Sequence, residues 1–404
     1  MKKNKSALLV IFITVFVDLV GFGIVIPLSP YLAKNFGADA LQVGLLMTIY
    51  SLFQFAFAPF WGQLSDKMGR RPIILLSLLG AAVAHLLFAF GSSLTMLFIA
   101  RGLAGFFGGN ISTAMAYIAD VTESKDRSKG MALIGVAFGL GFILGPVIGG
   151  IAGSWGLKIG LLPPFGESFP ALIASLICFI NFVMAFFRLK ESLPQELRGK
   201  AKKRPSRIKM IIEYYKRPVL NAVLITYFLN TLGMANMEAS LFLFVKDKFS
   251  WSMVDASWGF AYVGVIMVIV QGLFIRRFVP KYGEVKVLLV GLILAPLGML
   301  GVGLSESIPF LAGSVTLMAI GSSLINPTST GAMSLLSDSS EQGAVMGTGQ
   351  SLSALGRVLG PALGGWFYRD LSWSAPFYTA SVMIFLGFVL IWLNKARMPD
   401  THKV

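Results

Sequence analysis

The chain predicts an all-α membrane protein of twelve transmembrane helices in two pseudo-symmetric six-helix bundles. Three observations carry that expectation. Of 404 residues, 55% are hydrophobic and only 13% charged, about half the charged share of soluble domains. Apolar runs long enough to cross a bilayer, about 20 residues each, follow one another with short connections. The second half of the chain also repeats landmarks of the first.

The spans are expected at residues 7–32, 41–62, 73–91, 94–118, 129–153, 168–187, 218–245, 254–275, 286–304, 308–330, 342–367 and 374–394. The first follows the basic start Met1-Lys2-Lys3-Asn4-Lys5. It is too long for a signal peptide and contains Asp18, Pro27 and Pro30, so it reads as a retained helix. With the N-terminus inside, 27 of the 34 Lys and Arg fall on the cytoplasmic side and five outside (Lys34, Lys158, Lys246, Lys248, Arg369), while Arg101 and Arg357 lie within spans. That asymmetry puts both termini in the cytoplasm. It also accounts for the net charge of +15 without nucleic acid as a partner, because the basic residues sit in short turns rather than on a polar domain.

The one long polar connection, 188–217, carries eleven basic and three acidic residues. It divides the chain into an N-terminal bundle (1–187), a cytoplasmic basic linker (188–217) and a C-terminal bundle (218–404). Within the linker, Ile208-Lys209-Met210-Ile211-Ile212 reads as an amphipathic piece lying on anionic lipid. Gly145-Pro146-Val147-Ile148-Gly149-Gly150 matches Gly360-Pro361-Ala362-Leu363-Gly364-Gly365 at an offset of 215, which also pairs Asp126 with Glu341. Gly69 pairs with Gly283 at an offset of 214, where Lys281-Tyr282-Gly283-Glu284 repeats the turn after the second span without its Asp. Duplicated halves are a transporter architecture, with substrate held between them near the midplane.

The first copy of that turn is Gly62-Gln63-Leu64-Ser65-Asp66-Lys67-Met68-Gly69-Arg70-Arg71-Pro72. It reads as a short charged hinge in which Gly62 and Gly69 allow close approach and Asp66 is free to cap a neighbouring helix. The spelling resembles the loop between helices 2 and 3 of the major facilitator superfamily, G-x-L-x-D-R-x-G-R-R, with Lys67 in place of one arginine. The resemblance implies the major facilitator fold and a conformational latch of Gly62, Asp66, Gly69, Arg70, Arg71 and Asp120, with Asp66 capping the start of span 11 near Glu341 to Gly343 and Arg127 close to the charge cluster.

Further runs resemble the superfamily's proton-driven drug antiporters. Asp18-x-x-Gly21-x-Gly23-x-x-x-Pro27-x-x-Pro30 is similar to the first helix of tetracycline and multidrug exporters. Arg101-x-x-x-Gly105 resembles the fourth-helix arginine motif, and Gly141-x-x-x-Gly145-Pro146-x-x-Gly149-Gly150 the fifth-helix antiporter motif, thought to seat helix 5 against helix 8 or 11. Met237-Glu238-Ala239-Ser240-Leu241-Phe242 resembles the seventh helix of quinolone-type exporters, whose embedded glutamate belongs to the proton site. Ser323 stands where those exporters carry a second acid. Proton coupling is therefore expected at Glu238, Asp18 and Arg101.

An ionised acid at Asp18, about 16 Å into its helix, costs at least about 2.5–3.5 kcal/mol unless it meets water or a partner. Its alternative role is a structural contact to a neighbouring helix. For Glu238 the alternative is an acid idling near the outer mouth. His85, alone in span 3, reads as packing, and Arg357 must find a partner. Phe22, Tyr50, Phe53, Phe106, Asn236 and Phe242 are the expected substrate-cavity lining, with Phe260 also suited to flat apolar compounds.

The expected function is proton-coupled antiport of amphipathic organic compounds in a bacterial-type inner (plasma) membrane, by a monomer contacting membrane lipids. Sodium is the rival coupling ion, and lipid or lipid-precursor transport by the same fold is the alternative function. Neither a nucleotide-binding loop nor a zinc-protease motif is present. Only His85 and His402 are histidines, and Cys178 is the single cysteine, so no enzyme activity, metal or cofactor is expected.

Overall fold

The computed structural model describes residues 2–122, 127–199, 214, 216–338 and 341–398. Asp126, the piece 208–212 and His402 lie outside the described residues, as does the side chain of Arg127. Among the described residues the long elements are all helical, because in lipid the backbone must satisfy its own hydrogen bonds. They are α1 (Lys2–Asn35), α2 (Ala40–Met68), α3 (Arg70–Ala89), α4 (Leu94–Gly108), α5 (Ile111–Val121), α6 (Arg127–Ile159), α7 (Phe169–Arg188), α8 (Pro218–Phe249), α9 (Met253–Ile269), α10 (Arg276–Tyr282), α11 (Glu284–Gly303), α12 (Ile308–Leu335), α13 (Gln342–Asp370) and α14 (Ala375–Asn394). Eleven spans among the described residues are long and apolar enough to cross a membrane. The twelfth expected span is α13, 29 residues long, whose Gly, Ser, Gln and Arg dilute its apolar character.

Three expected elements differ from what forms. The charged stretch 62–72 is not a loop: α2 continues to Met68, α3 begins at Arg70, and Gly69 alone is non-helical. The break is confined to that one residue, and Asp66 of α2 pairs with Arg70 of α3 across it at 2.5 Å, so the charges need no loop to meet. Gly62 lies inside α2, and a Cβ there would find only ordinary contact with Ser112 Oγ at 3.7 Å, so no close approach depends on it. Span 4 is broken at Gly109-Asn110 into α4 and α5. Span 8 is longer than expected and contains a π-helical stretch, Val270–Ile275, between α9 and α10.

The helices group into two compact units: 1–38, 49–203 and 250–264 form one, and 39–48, 204–249 and 265–404 the other. The start of α2 thus packs with the second unit and most of α9 with the first. In the first unit, Ile11, Val15, Leu78, Tyr117, Ile134 and Ala185 join α1, α3, α5, α6 and α7 in one buried cluster. In the second, Val270, Val287 and Leu324 form a smaller one.

The repeat is visible in the packing of each unit. In the first, a Cβ on Gly145 would lie 2.7 Å from Gly23 Cα, and Gly141 and Gly149 face Leu19 and Ile24 of the same helix. In the second, a Cβ on Gly360 would lie 2.6 Å from Ala235 Cβ, and Gly364 abuts Asn236. The last glycine of each series turns to a different helix: Gly150 faces Ser257 of α9, and Gly365 faces Ala40 and Leu41 of α2. The glycine motif therefore seats α6 on α1, while α9 meets α6 at Gly150 and Gly153 and, through Gly264, at Ile143. Gly69 (φ 104°) and Gly283 (φ 81°) share a positive φ and ψ near 160°, a conformation open essentially to glycine alone.

Gly145→Leu should force α1 and α6 apart and cost about 1–3 kcal/mol, the usual penalty of overpacking. Gly139→Leu, at a position with nothing within 4 Å, should leave thermal unfolding in detergent unchanged. Equal melting of the two variants would remove the contact argument.

Candidate functional site

At the α2–α3 junction, the Arg70 guanidinium is only 8% exposed. It donates to Asp66 Oδ1, to Asp120 Oδ2 at 3.2 Å and to Ser65 Oγ at 2.7 Å. Gly69 has no side chain with which to cap α3, and Glu191 supplies one from the segment after α7. Its two oxygens accept from the backbone N–H groups of Arg70 (2.9 Å) and Arg71 (3.1 Å). A carboxylate there also suits the positive end of the helix dipole. Arg71 in turn donates to the carbonyls of Leu189 and Phe186, Ser192 Oγ donates to Asp120, and the Gly199 N–H donates to the Asp66 carbonyl. The five expected residues Asp66, Gly69, Arg70, Arg71 and Asp120 are thus brought together, and Gly62 is not.

Glu191 and Ser192 were not anticipated. The available signal was an acid directly beyond a span, in a stretch otherwise rich in positive charge. In the second unit Gly283 is followed by Glu284 rather than arginine, and Ser334 stands where the offset of 214 would put Asp120. The start of α13 is held by a different tie, Arg217 to both oxygens of Glu341 at 2.5 and 2.9 Å. That hydrogen bonding pulls the Glu341 carboxyl below its ordinary 4.5. The tie is therefore fully formed above the ordinary value and is lost as pH falls through the lowered one.

Asp18 lies in α1 beside Thr14, Leu19, Leu78 and Ala114, in a narrow cleft that also contains Asn110. Asn110, the residue at the α4–α5 break, is its hydrogen-bonding neighbour. Carbonyls around the break are satisfied from α2: Trp61 Nε1 donates to Phe106 O (2.5 Å) and Gln54 Nε2 to Gly108 O (3.1 Å). Gln54 also reaches the Tyr50 hydroxyl at 3.2 Å, and Tyr50 stacks on Phe22 with centroids 4.6 Å apart. The buried Arg101 guanidinium lies 4.7 Å from the Tyr50 ring and 5.9 Å from that of Phe22, within cation–π range. One continuous set of contacts therefore runs from Arg101 through Tyr50 and Gln54 to the helix break and Asp18. Asn110, Gln54 and Trp61 were absent from the expected site, because nothing in the sequence marks span 4 as broken beyond a Gly-Gly-Asn run.

Phe53 and Phe106 join an aromatic cluster with Phe57 and Trp61, and Phe260 meets Phe142 at 6.4 Å. His85 and Cys178 are buried against Gly21, where a Cβ would come within 2.7 Å of the Cys178 sulfur. Both are packed inside the first unit.

In the second unit Glu238 is half-buried on α8. Asn236 and Phe242, expected on a cavity wall, are instead packed inside: Asn236 is fully buried and donates to Pro376 O and Thr379 Oγ1, while Phe242 is 2% exposed. Asn236 is drawn into the helix contact because Gly364 leaves room for it. Ser323 donates to the carbonyl of Ala319. Arg357 donates from Nη1 to Ser353 Oγ at 2.9 Å.

Two helical units built on the same glycine contacts, with ionisable residues inside their spans, are the duplicated architecture of a membrane transporter. The chain belongs to the Major Facilitator Superfamily, whose sequence profile matches residues 11–280 and 223–404. It is 32% identical to the class B tetracycline resistance protein of Escherichia coli over 98% of this chain and 96% of that one. Multidrug resistance protein 2 of Bacillus subtilis is 29% identical over 97% and 96%. The crystal structure of the human organic anion transporter MFSD10 (TETRAN) superposes with a TM-score of 0.71 at 27% identity, covering 96% of this chain and 99% of that one. The protein is an integral membrane transporter of small molecules and not an enzyme.

Glu191→Ala should lower stability by about 1–2 kcal/mol, the usual cost of a lost helix cap, and slow turnover, as read by thermal unfolding and by transport in proteoliposomes. Asp66→Asn should leave folding intact and slow turnover. Wild-type rates in both variants would detach the α2–α3 junction from the transport cycle.

Proposed function

We propose that this transporter is a proton-driven exporter of amphipathic organic compounds in a bacterial-type inner membrane, with both termini cytoplasmic and a monomer as the working unit. The observation that carries the reading is the contact path from Arg101 to Asp18 across the α4–α5 break. An acid whose hydrogen-bonding neighbour sits at an interruption of a span can couple its charge to the shape of that span. Relatives that confer tetracycline and multidrug resistance support export of drug-like compounds, and the aromatic residues around Phe22, Tyr50 and Phe106 suit flat apolar bodies.

In the proposed cycle the segments 1–187 and 218–404 rock to open a substrate site to each side in turn. The α2–α3 junction latches one state, with Asp66 exchanging its present partner for the start of α13. Protonation of Glu238, Asp18 or both biases the equilibrium, because a neutral acid carries no desolvation penalty. One proton moving through about 100 mV supplies about 2.3 kcal/mol, and a pH unit adds about 1.36. Together, about 3.7 kcal/mol, they sustain a substrate gradient of up to roughly 500-fold.

An imposed pH gradient alone should drive export, and transport that follows sodium and ignores pH would overturn the coupling. Glu238→Gln should abolish pH-driven uptake in everted vesicles while keeping substrate binding. Asp18→Asn, which keeps a hydrogen-bonding side chain beside Asn110, should weaken transport less. The reverse outcome moves the coupling acid to α1.

A further inference from the structure

Helix α13 presents three distinct faces. Gly356, Gly360 and Gly364 lie against α8. Leu355, Leu359 and Trp366 are large, apolar and exposed, as a lipid-facing stripe should be. The third face is Gly343, Gly347, Gln350, Ala354 and Arg357, spaced at three and four residues. A Cβ on either glycine would meet nothing within 4 Å, and Gln350 and Arg357 are exposed. At 100° per residue, Arg357 points about 160° away from Leu355 and Leu359.

Arg357 is the sixteenth residue of this 29-residue helix, about 22 Å from its start and so near its middle. An exposed guanidinium at that depth faces a water-filled cavity or a polar partner rather than hydrocarbon. Its orientation is set from behind: Ser353, buried and one turn away, accepts from Nη1 and lies 3.3 Å from the Thr231 hydroxyl of α8. The preceding residue of α8, Asn230, is buried, donates to Asn326 of α12 at 3.3 Å, and has a buried Oδ1 with no hydrogen-bond partner. A planar five-donor cation held at a fixed angle suits carboxylate-like oxygens.

The repeat sharpens this reading. An offset of 215 maps Gln350, Ala354 and Arg357 onto Gly135, Gly139 and Phe142 of α6. Gly135 and Gly139 are likewise open, but Phe142 meets the ring of Phe22 edge-on at 6.0 Å. The same position is an aromatic ring in one unit and a cation in the other.

We propose that Arg357, positioned by Ser353 and Thr231, is a subsite for the anionic group of an amphipathic organic anion, a carboxylate or phenolate on an aromatic body. This rests on the export reading above and narrows its substrate class.

Fluorescein and rhodamine 123 test it, since they share a xanthene body and carry opposite charge. Purified wild type, Arg357→Gln and Arg357→Lys are titrated with each dye by fluorescence anisotropy and assayed in proteoliposomes under a pH gradient. Arg357→Gln should weaken fluorescein binding about tenfold or more and leave rhodamine 123 within twofold, and Arg357→Lys should recover part of the loss. An unchanged fluorescein Kd in Arg357→Gln, or equal loss of both dyes with a lowered Tm in Arg357→Gln and Arg357→Lys alike, overturns the subsite. Wild type that binds and moves rhodamine 123 but not fluorescein overturns the subsite and leaves export standing. Wild type that binds and moves neither dye takes both readings down.

Discussion

Hydrocarbon offers no hydrogen bonds, and that single constraint organises this protein. It forces helices, and it also dictates where polar side chains go. Where span 4 is interrupted, carbonyls are taken up by Trp61 and Gln54 from α2. Where α3 starts after a glycine that cannot cap, Glu191 arrives from beyond α7. Both of these interruptions are repaired by side chains from elsewhere in the chain, so they are also places where separate segments are bound to one another.

Much of the fold was legible because its signals are long and periodic. Apolar runs gave the spans, and the offset of 215 gave pairs of glycines that make equivalent contacts, Gly145 on Gly23 and Gly360 on Ala235. The local breaks were not legible. Gly109-Asn110 looks in sequence like any small-residue stretch of a membrane helix, and whether it bends depends on partners 50 residues away. Charge misled in the other direction: the run around Asp66 looked like a loop because its residues are polar, yet all but Gly69 are helical, and Asp66 and Arg70 pair across that single break.

Site residues divided along the same line. Those with intrinsic cost in lipid, Asp18, Arg101 and Arg357, announced themselves by being charged within spans. Residues that act by fitting, such as Asn110 and Ser353, have no distinguishing composition, and only the folded chain shows what they hold. Asn236 and Phe242 fail for the complementary reason. A polar or aromatic residue in a membrane helix fits a helix contact as readily as a cavity wall, and a neighbouring glycine decides which.

The duplication carries a consequence for how such a chain evolves. Both copies keep the glycine at the turn, Gly69 and Gly283, with nearly the same backbone angles, but only the first surrounds it with Asp66, Arg70, Asp120 and Glu191. A protein with two drafts of one joint can hold the first fixed while the second drifts. New substrate preferences can then accumulate in one half without endangering the mechanics preserved in the other.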